Sequence, residues 1–267
     1  MTNLPNAPLI YTIASVGFPP VPDMNAFEPL FHTLIRDTYP LRNEVAIGQM
    51  QFDLSPEGMK LSQTVTTVWQ FSEPRKGTAV VLSPTSISLH TAEYRDNRSF
   101  IESFRKVLTQ LTSISGIGIA WTGASAIRYV DLVLPQGDIP LDQLLKPSVL
   151  PPHFTDVAEL VAGDSLHIAS YRSPQADVRF QVLRNPAAVL PVDLASPLIA
   201  LNGWMRDRPS MEFAVVDTEC SRRFPDATPM DVPQVCAHMH ELRRVAKSIF
   251  EEIGTEIGKQ IWAEAKT

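Results

Sequence analysis

The chain has little cysteine: only Cys220 and Cys236 in 267 residues. That excludes a disulfide-stapled scaffold and predicts a reducing compartment. Glycine is also sparse, 12 residues against 23 prolines. Few positive-φ turns are expected, and many loops should be stiffened by the fixed φ of proline. No apolar run approaches the ~20 residues that span a bilayer. The opening Met-Thr-Asn-Leu-Pro lacks a basic n-region and a small-residue cleavage site, so no membrane association and a cytoplasmic location are expected. Nor is there an excess of positive charge. Residues 1–150 carry 11 basic and 13 acidic side chains, and residues 151–267 carry 12 and 16. A surface that tracks nucleic-acid phosphates is therefore not indicated.

What is present is a strong periodic signal. Residues 8–18 are β-branched and aromatic and read as a strand. Asp23, with Asn25 as rival, caps a helix over 24–38 that places Phe27, Leu30, Phe31, Leu34 and Ile35 on one face. Strands at 44–54 and 59–71 flank Ser55-Pro56-Glu57-Gly58, which is hairpin chemistry. Further strands are predicted at 78–83 and 85–91. A helix over 99–114, capped by Asn97 or Ser99, turns Phe100, Phe104, Val107, Leu108 and Leu111 inward, and Gly116 and Gly118 stop it. A strand region follows at 119–134, with Gly123 as a bend or bulge. The Pro-rich stretch 135–157 reads as a connector. Strands resume at 165–172, 177–184 and 211–217, while 186–197 is irregular. Residues 231–265 are helical, either as one continuous helix or broken at Gly254-Thr255, where Gly254 fits a C′ position and Thr255 an N-cap.

Helices do not alternate one-for-one with strands. The expected fold class is therefore α+β, a mainly antiparallel sheet with helices on one face and a long, kinked or broken C-terminal helix. The pattern allows two units, an N-terminal one over 1–135 and a C-terminal one over 136–267, or one continuous domain.

Chemistry is thinner. No nucleophile elbow, Walker loop or dinucleotide loop occurs, so no catalytic residue and no cofactor are assigned. Arg128 and Tyr129 sit inside an apolar strand with Asp131 close by, and Asp217 ends a later strand with Thr218 and Glu219. Arg128, Tyr129, Asp131 and Asp217 are the candidate ligand-binding residues. Cys236 and His240 share a helix face. With Asp217 they are the only candidates for a metal site, and a partly buried helix face is the plainer reading. The arginines of the second half are interleaved with acids, as on a mixed solvated face.

The order of features resembles a family of bacterial proteins of similar length, scattered across species and uncharacterised. The resemblance rests on four places. They are Trp69-Gln70-Phe71 before a strand pair; Tyr94 ahead of Phe100 and Phe104; Arg128-Tyr129-Val130-Asp131, where the family has Arg-Tyr-aliphatic and usually Asn; and a tail of Asp217, His240, Leu242, Phe250, Thr255 and Trp262. It implies a shared fold and a mobile or defence-associated gene setting, without an activity. Asp131 departs from the usual Asn: an ionised carboxylate only accepts hydrogen bonds.

The leading expectation is thus a non-enzymatic binding or regulatory protein that acts through a protein partner or by self-association as a homodimer. The alternatives are a metal-dependent hydrolase or nuclease built on Asp217, Glu219 and other strand-end carboxylates, and a nucleotide or anion sensor using Arg128 and Tyr129.

Overall fold

A computed structural model of the chain describes residues 6–264 except 56–57, 76, 115–118, 153, 155–159, 161, 195–198 and 200–206. The fold is α+β. Among the described residues, nine antiparallel strands form one sheet in the order β2-β3-β4-β5-β1-β6-β9-β8-β7. The first strand, β1 (Leu9–Gly17), runs through the middle. A meander of β2 (Leu41–Ser55), β3 (Gly58–Ser72), β4 (Thr78–Ser83) and β5 (Ser86–Thr91) builds one side. On the other side of β1 lie β6 (Trp121–Val133), β9 (Ala214–Pro229), β8 (Asp177–Arg184) and β7 (Ser165–Arg172). The β6–β9 pairing joins strands from residues 1–135 to strands from residues 136–267.

The helices cover one face. Alternation turns Ala14, Val16, Phe71, Leu82, Leu89, Ile127, Val216 and Cys220 toward them. Helix α1 (Met24–Ile35) is capped by Asp23, whose side chain accepts from the Ala26 amide. Its buried face is Phe27, Phe31 and Ile35, as expected, but Leu30 and Leu34 are exposed at 50% and 43%. Glu28 is buried instead, held by Arg42 from β2 at 2.9 Å. The i, i+4 row needed only three apolar residues, and the neighbouring row was taken by an ion pair. Helix α2 (Asn97–Thr112) buries all five predicted residues, but its cap is Asp96, which accepts from the Ser99 amide. The stop predicted at Gly116 and Gly118 lies outside the described residues.

Two short helical turns, α3 (Leu141–Leu144) and one at Pro147–Val149, lie within the connector. The C-terminal segment is broken where Gly254 and Thr255 suggested. Helix α4 (Val232–Ile253) ends and α5 (Glu256–Ala263) begins with Thr255 Oγ1 accepting from the Gly258 amide. The glycines are there for space. Gly254 has φ −74°, outside the left-handed region. A Cβ on it would lie 2.8 Å from the Trp262 ring, and one on Gly258 would lie 2.6 Å from the Leu144 carbonyl oxygen of α3.

The strand expected at 211–217 instead spans 214–229. Its polar second half is held by pairing with β6, with a register shift between Thr122 and Ala124, at Gly123. The opposite face of the sheet has its own core. Tyr11, Val130, Leu132 and Val215 pack there against Val189, Leu190, Leu194, Ile199 and Phe213 from the segment between β8 and β9. No described helix is long and apolar enough to cross a membrane.

Candidate functional site

The register of the central strands sets the polar groups. In β1, β6 and β9 the residues Thr12, Tyr129 and Thr218 are direct neighbours across the sheet. The row continues through Thr91 of β5 to Thr78 of β4, and those two hydroxyls are 3.1 Å apart. Paired antiparallel residues share a face, so this hydroxyl row runs beneath the helices, in what is otherwise apolar core. Thr12 Oγ1 and Thr218 Oγ1 are buried without a hydrogen-bond partner, while the buried Tyr129 hydroxyl has the Tyr94 hydroxyl beside it. Asp131 stands on the same face, two residues beyond Tyr129. It is 6% exposed, and no hydrogen bond or cation compensates it among the described residues.

Helices α2 and α4 cross above this row and leave a cavity of about 260 Å³. Its floor includes Tyr129, Asp131 and Thr218; Tyr94 and Asp96 come from the segment leading into α2, Asn97 from its first residue, and Arg243 and Lys247 from α4. Exposed Arg95 and Asp96 mark the mouth. The Tyr94 ring meets Phe100 at 5.6 Å and Tyr129 edge-on at 5.9 Å, which fixes one wall. Asn97 Nδ2 donates to His240 Nδ1 at 2.7 Å, and Asn97 Oδ1 is left buried and unpartnered.

Electrostatics follow from burial. Loss of water, and then the charge of Asp217 on the other face, push the Asp131 carboxyl up to about 8. Burial raises the Tyr129 phenol well above its ordinary value, with Tyr94 adding to the effect. Near neutral pH the floor is therefore a set of uncharged groups that can donate or accept. Arg243 lies beside the Tyr94 hydroxyl, and no carboxylate pairs with it among the described residues. Lys247 pairs with Glu251 at 3.2 Å.

Alternation separates the four candidate ligand-binding residues. Tyr129 and Asp131 reach the cavity, while Arg128 and Asp217 face the other side of the sheet. There Arg128 Nε and Nη2 donate to the two Asp217 oxygens, each at 2.7 Å. Nη1 and Nη2 also bond to Asp193, and Gln181 Nε2 donates to Asp217 at 2.7 Å. This network pins the turn at Val192–Leu194 onto the sheet. The Arg128 fork is occupied and both Asp217 oxygens are engaged, so neither group is presented to a ligand. Beside it, His90 links Tyr11 (3.1 Å) to Ser88 (2.8 Å). Burial, and next the Arg128 charge, lower His90 to about 4.

The metal candidates are likewise separated. Cys236 is buried on α4, His240 is engaged with Asn97, and Asp217 lies on the far side of the sheet. No group of three or more metal-ligating side chains forms among the described residues. Of the later arginines, Arg184 pairs with Glu212 and Arg222 with Glu241, as on a mixed charged surface.

Sequence reasoning named Tyr129 and Asp131 but missed Tyr94, Asn97, Thr218 and Arg243 as their companions. Period-two alternation within β6 already sets Arg128 and Tyr129 on opposite faces. Thr218 carried one signal, a hydroxyl inside the apolar run that ends β9's buried half. Across known proteins, no family model, no curated protein and no solved structure matches the chain.

Proposed function

We propose that this protein binds a small polar molecule in the cavity between the sheet, α2 and α4, and acts as a non-enzymatic regulatory protein in a reducing cytoplasm. One observation carries the reading: Thr218 Oγ1 and Asn97 Oδ1, both buried without partners, line a single cavity together with the buried Asp131 carboxyl. Each such group costs ~1–3 kcal/mol when buried unpaired, and native proteins rarely leave one so. A bound molecule would supply the missing partners. The volume lies just below the ~300–1,000 Å³ usual for ligand pockets, which suits a metabolite better than a dinucleotide. Kinship with the bacterial family, and its mobile or defence-associated gene setting, belong to the same proposal. The buried free thiols of Cys220 and Cys236 suit the compartment.

The test is native mass spectrometry of the whole protein after incubation with a bacterial metabolite extract. A one-to-one adduct is expected, and it should disappear in Thr218→Val, which removes a floor hydroxyl at nearly constant volume. A protein that retains no small molecule overturns the reading.

A second observation favours self-association. Strand β7 is a sheet edge, and Leu166, Ile168 and Tyr171 on it are each more than half exposed. We infer that a second copy pairs there, β7 against β7 about a two-fold axis. An antiparallel edge pair is self-complementary. The oligomeric state in solution tests it.

A further inference from the structure

We propose that the cavity ligand is a small zwitterion whose primary ammonium sits at the floor against Asp131 and whose carboxylate or phosphate meets Arg243. This rests on the cavity being the ligand site and goes on to name the chemistry.

The floor shows a specific deficit. Asp131 is a buried carboxyl on the cavity floor, and no hydrogen bond or ion pair to it forms among the described residues. Buried charges are ordinarily paired, and a carboxyl kept from its counter-charge pays heavily in desolvation. In the same cavity are Thr218 Oγ1 and, on the adjoining wall, Asn97 Oδ1, both capable of accepting and both unpartnered, with the Tyr129 hydroxyl beside them. A primary ammonium carries three N–H donors and a positive charge. It satisfies several of these acceptors at once and supplies the counter-charge. A purely anionic ligand would leave Asp131 protonated and gain no charge pairing at the floor, whereas an ammonium draws the carboxyl to its ionised form and releases its proton to solvent.

Polarity reverses toward α4. Arg243 lines the same cavity, and its neighbour there is the neutral Tyr94 hydroxyl. A guanidinium is the side chain best suited to grip a carboxylate or phosphate. The cavity thus offers an ionisable carboxyl at the floor and a guanidinium at one wall, and its complement is a molecule with a cationic end and an anionic end. Its volume limits that molecule to the size of an amino acid or an amino-alcohol phosphate.

The experiment is calorimetric titration of the whole protein with glycine, L-serine, 4-aminobutyrate and phosphoethanolamine. Alongside them are the N-acetylated forms and the corresponding hydroxy acids. At least one free amine should bind about tenfold or more tightly than its acetylated and hydroxy analogues, because those lack the ammonium. Asp131→Asn and Arg243→Gln should each weaken that binding about tenfold or more, with melting curves showing both variants folded. A carboxylate or a phosphate as the preferred tail tells amino acids from amino-alcohol phosphates. The proposal is overturned if an analogue without the ammonium binds as tightly, or if none of the amines binds. If none binds yet the protein retains a compound from the extract, only the ligand class is wrong. If the extract leaves nothing either, the cavity reading falls with it.

Discussion

Asp131 ties the cavity to stability. Its carboxyl titrates near 8 in the folded protein, against about 3.9 in an unfolded chain. Between those values the folded protein holds a proton that the unfolded chain gives up. Stability contributed by this group is therefore present below about pH 4 and lost as pH rises toward 8. The titratable groups facing it or acting through the sheet are Tyr94, Tyr129, Arg243, Lys247, Asp96 and Asp217. Asparagine cannot ionise, so Asp131→Asn should melt higher than the parent protein at pH 8, by the equivalent of about 1–3 kcal/mol. The gap should close near pH 4. His90 works in the opposite sense: its folded value, about 4, lies below the ordinary 6.5, so stability is lost as pH falls through that window. It is common to both proteins and cancels in their difference. Thermal melts across pH 4–8 check this, and equal melting temperatures at pH 8 would sink it. At this scale the sequence was half legible. Tyr129 and Asp131 stood out as polar residues in an apolar strand. Their companions arrive from β9, α2 and α4, and no local spacing encodes that convergence.

At the scale of elements, the caps and the break at Gly254-Thr255 were readable because each depends on a few adjacent side chains. The packing reason for the two glycines was not, since it lies in α3 and in the Trp262 ring. Close approach of α5 to the Leu144 carbonyl makes Gly258→Ala an overpacking change, expected to cost about 1–3 kcal/mol. Gly163 has nothing within 4 Å of an added Cβ, so Gly163→Ala should shift the denaturant midpoint by little. Equal midpoints for the two variants would refute the close-packing account. The extent of β9 escaped sequence reasoning for a related reason. Arg222, Arg223 and Pro225 do not look like strand; pairing with β6 holds Arg222 and Arg223 extended, and Pro225 falls in the irregularity before pairing resumes at Thr228.

For the whole molecule, the antiparallel α+β class followed from element order, whereas strand order did not, because pairing partners lie far apart in the chain. The exposed β7 edge is where the molecule can grow. Light scattering should give a dimer, and Ile168→Lys should shift it to monomer by placing like charges across the two-fold. A monomer in the unmodified protein would end that reading. The β6–β9 seam has a consequence in time. The two strands pair residues about 80 to 110 positions apart, and contacts of such long range slow folding. During synthesis β6 is complete well before β9 exists, and until then its free edge is open to any other extended segment. The growing chain therefore passes through an interval of exposure to misassembly, which ends when β9 is inserted between β6 and β8.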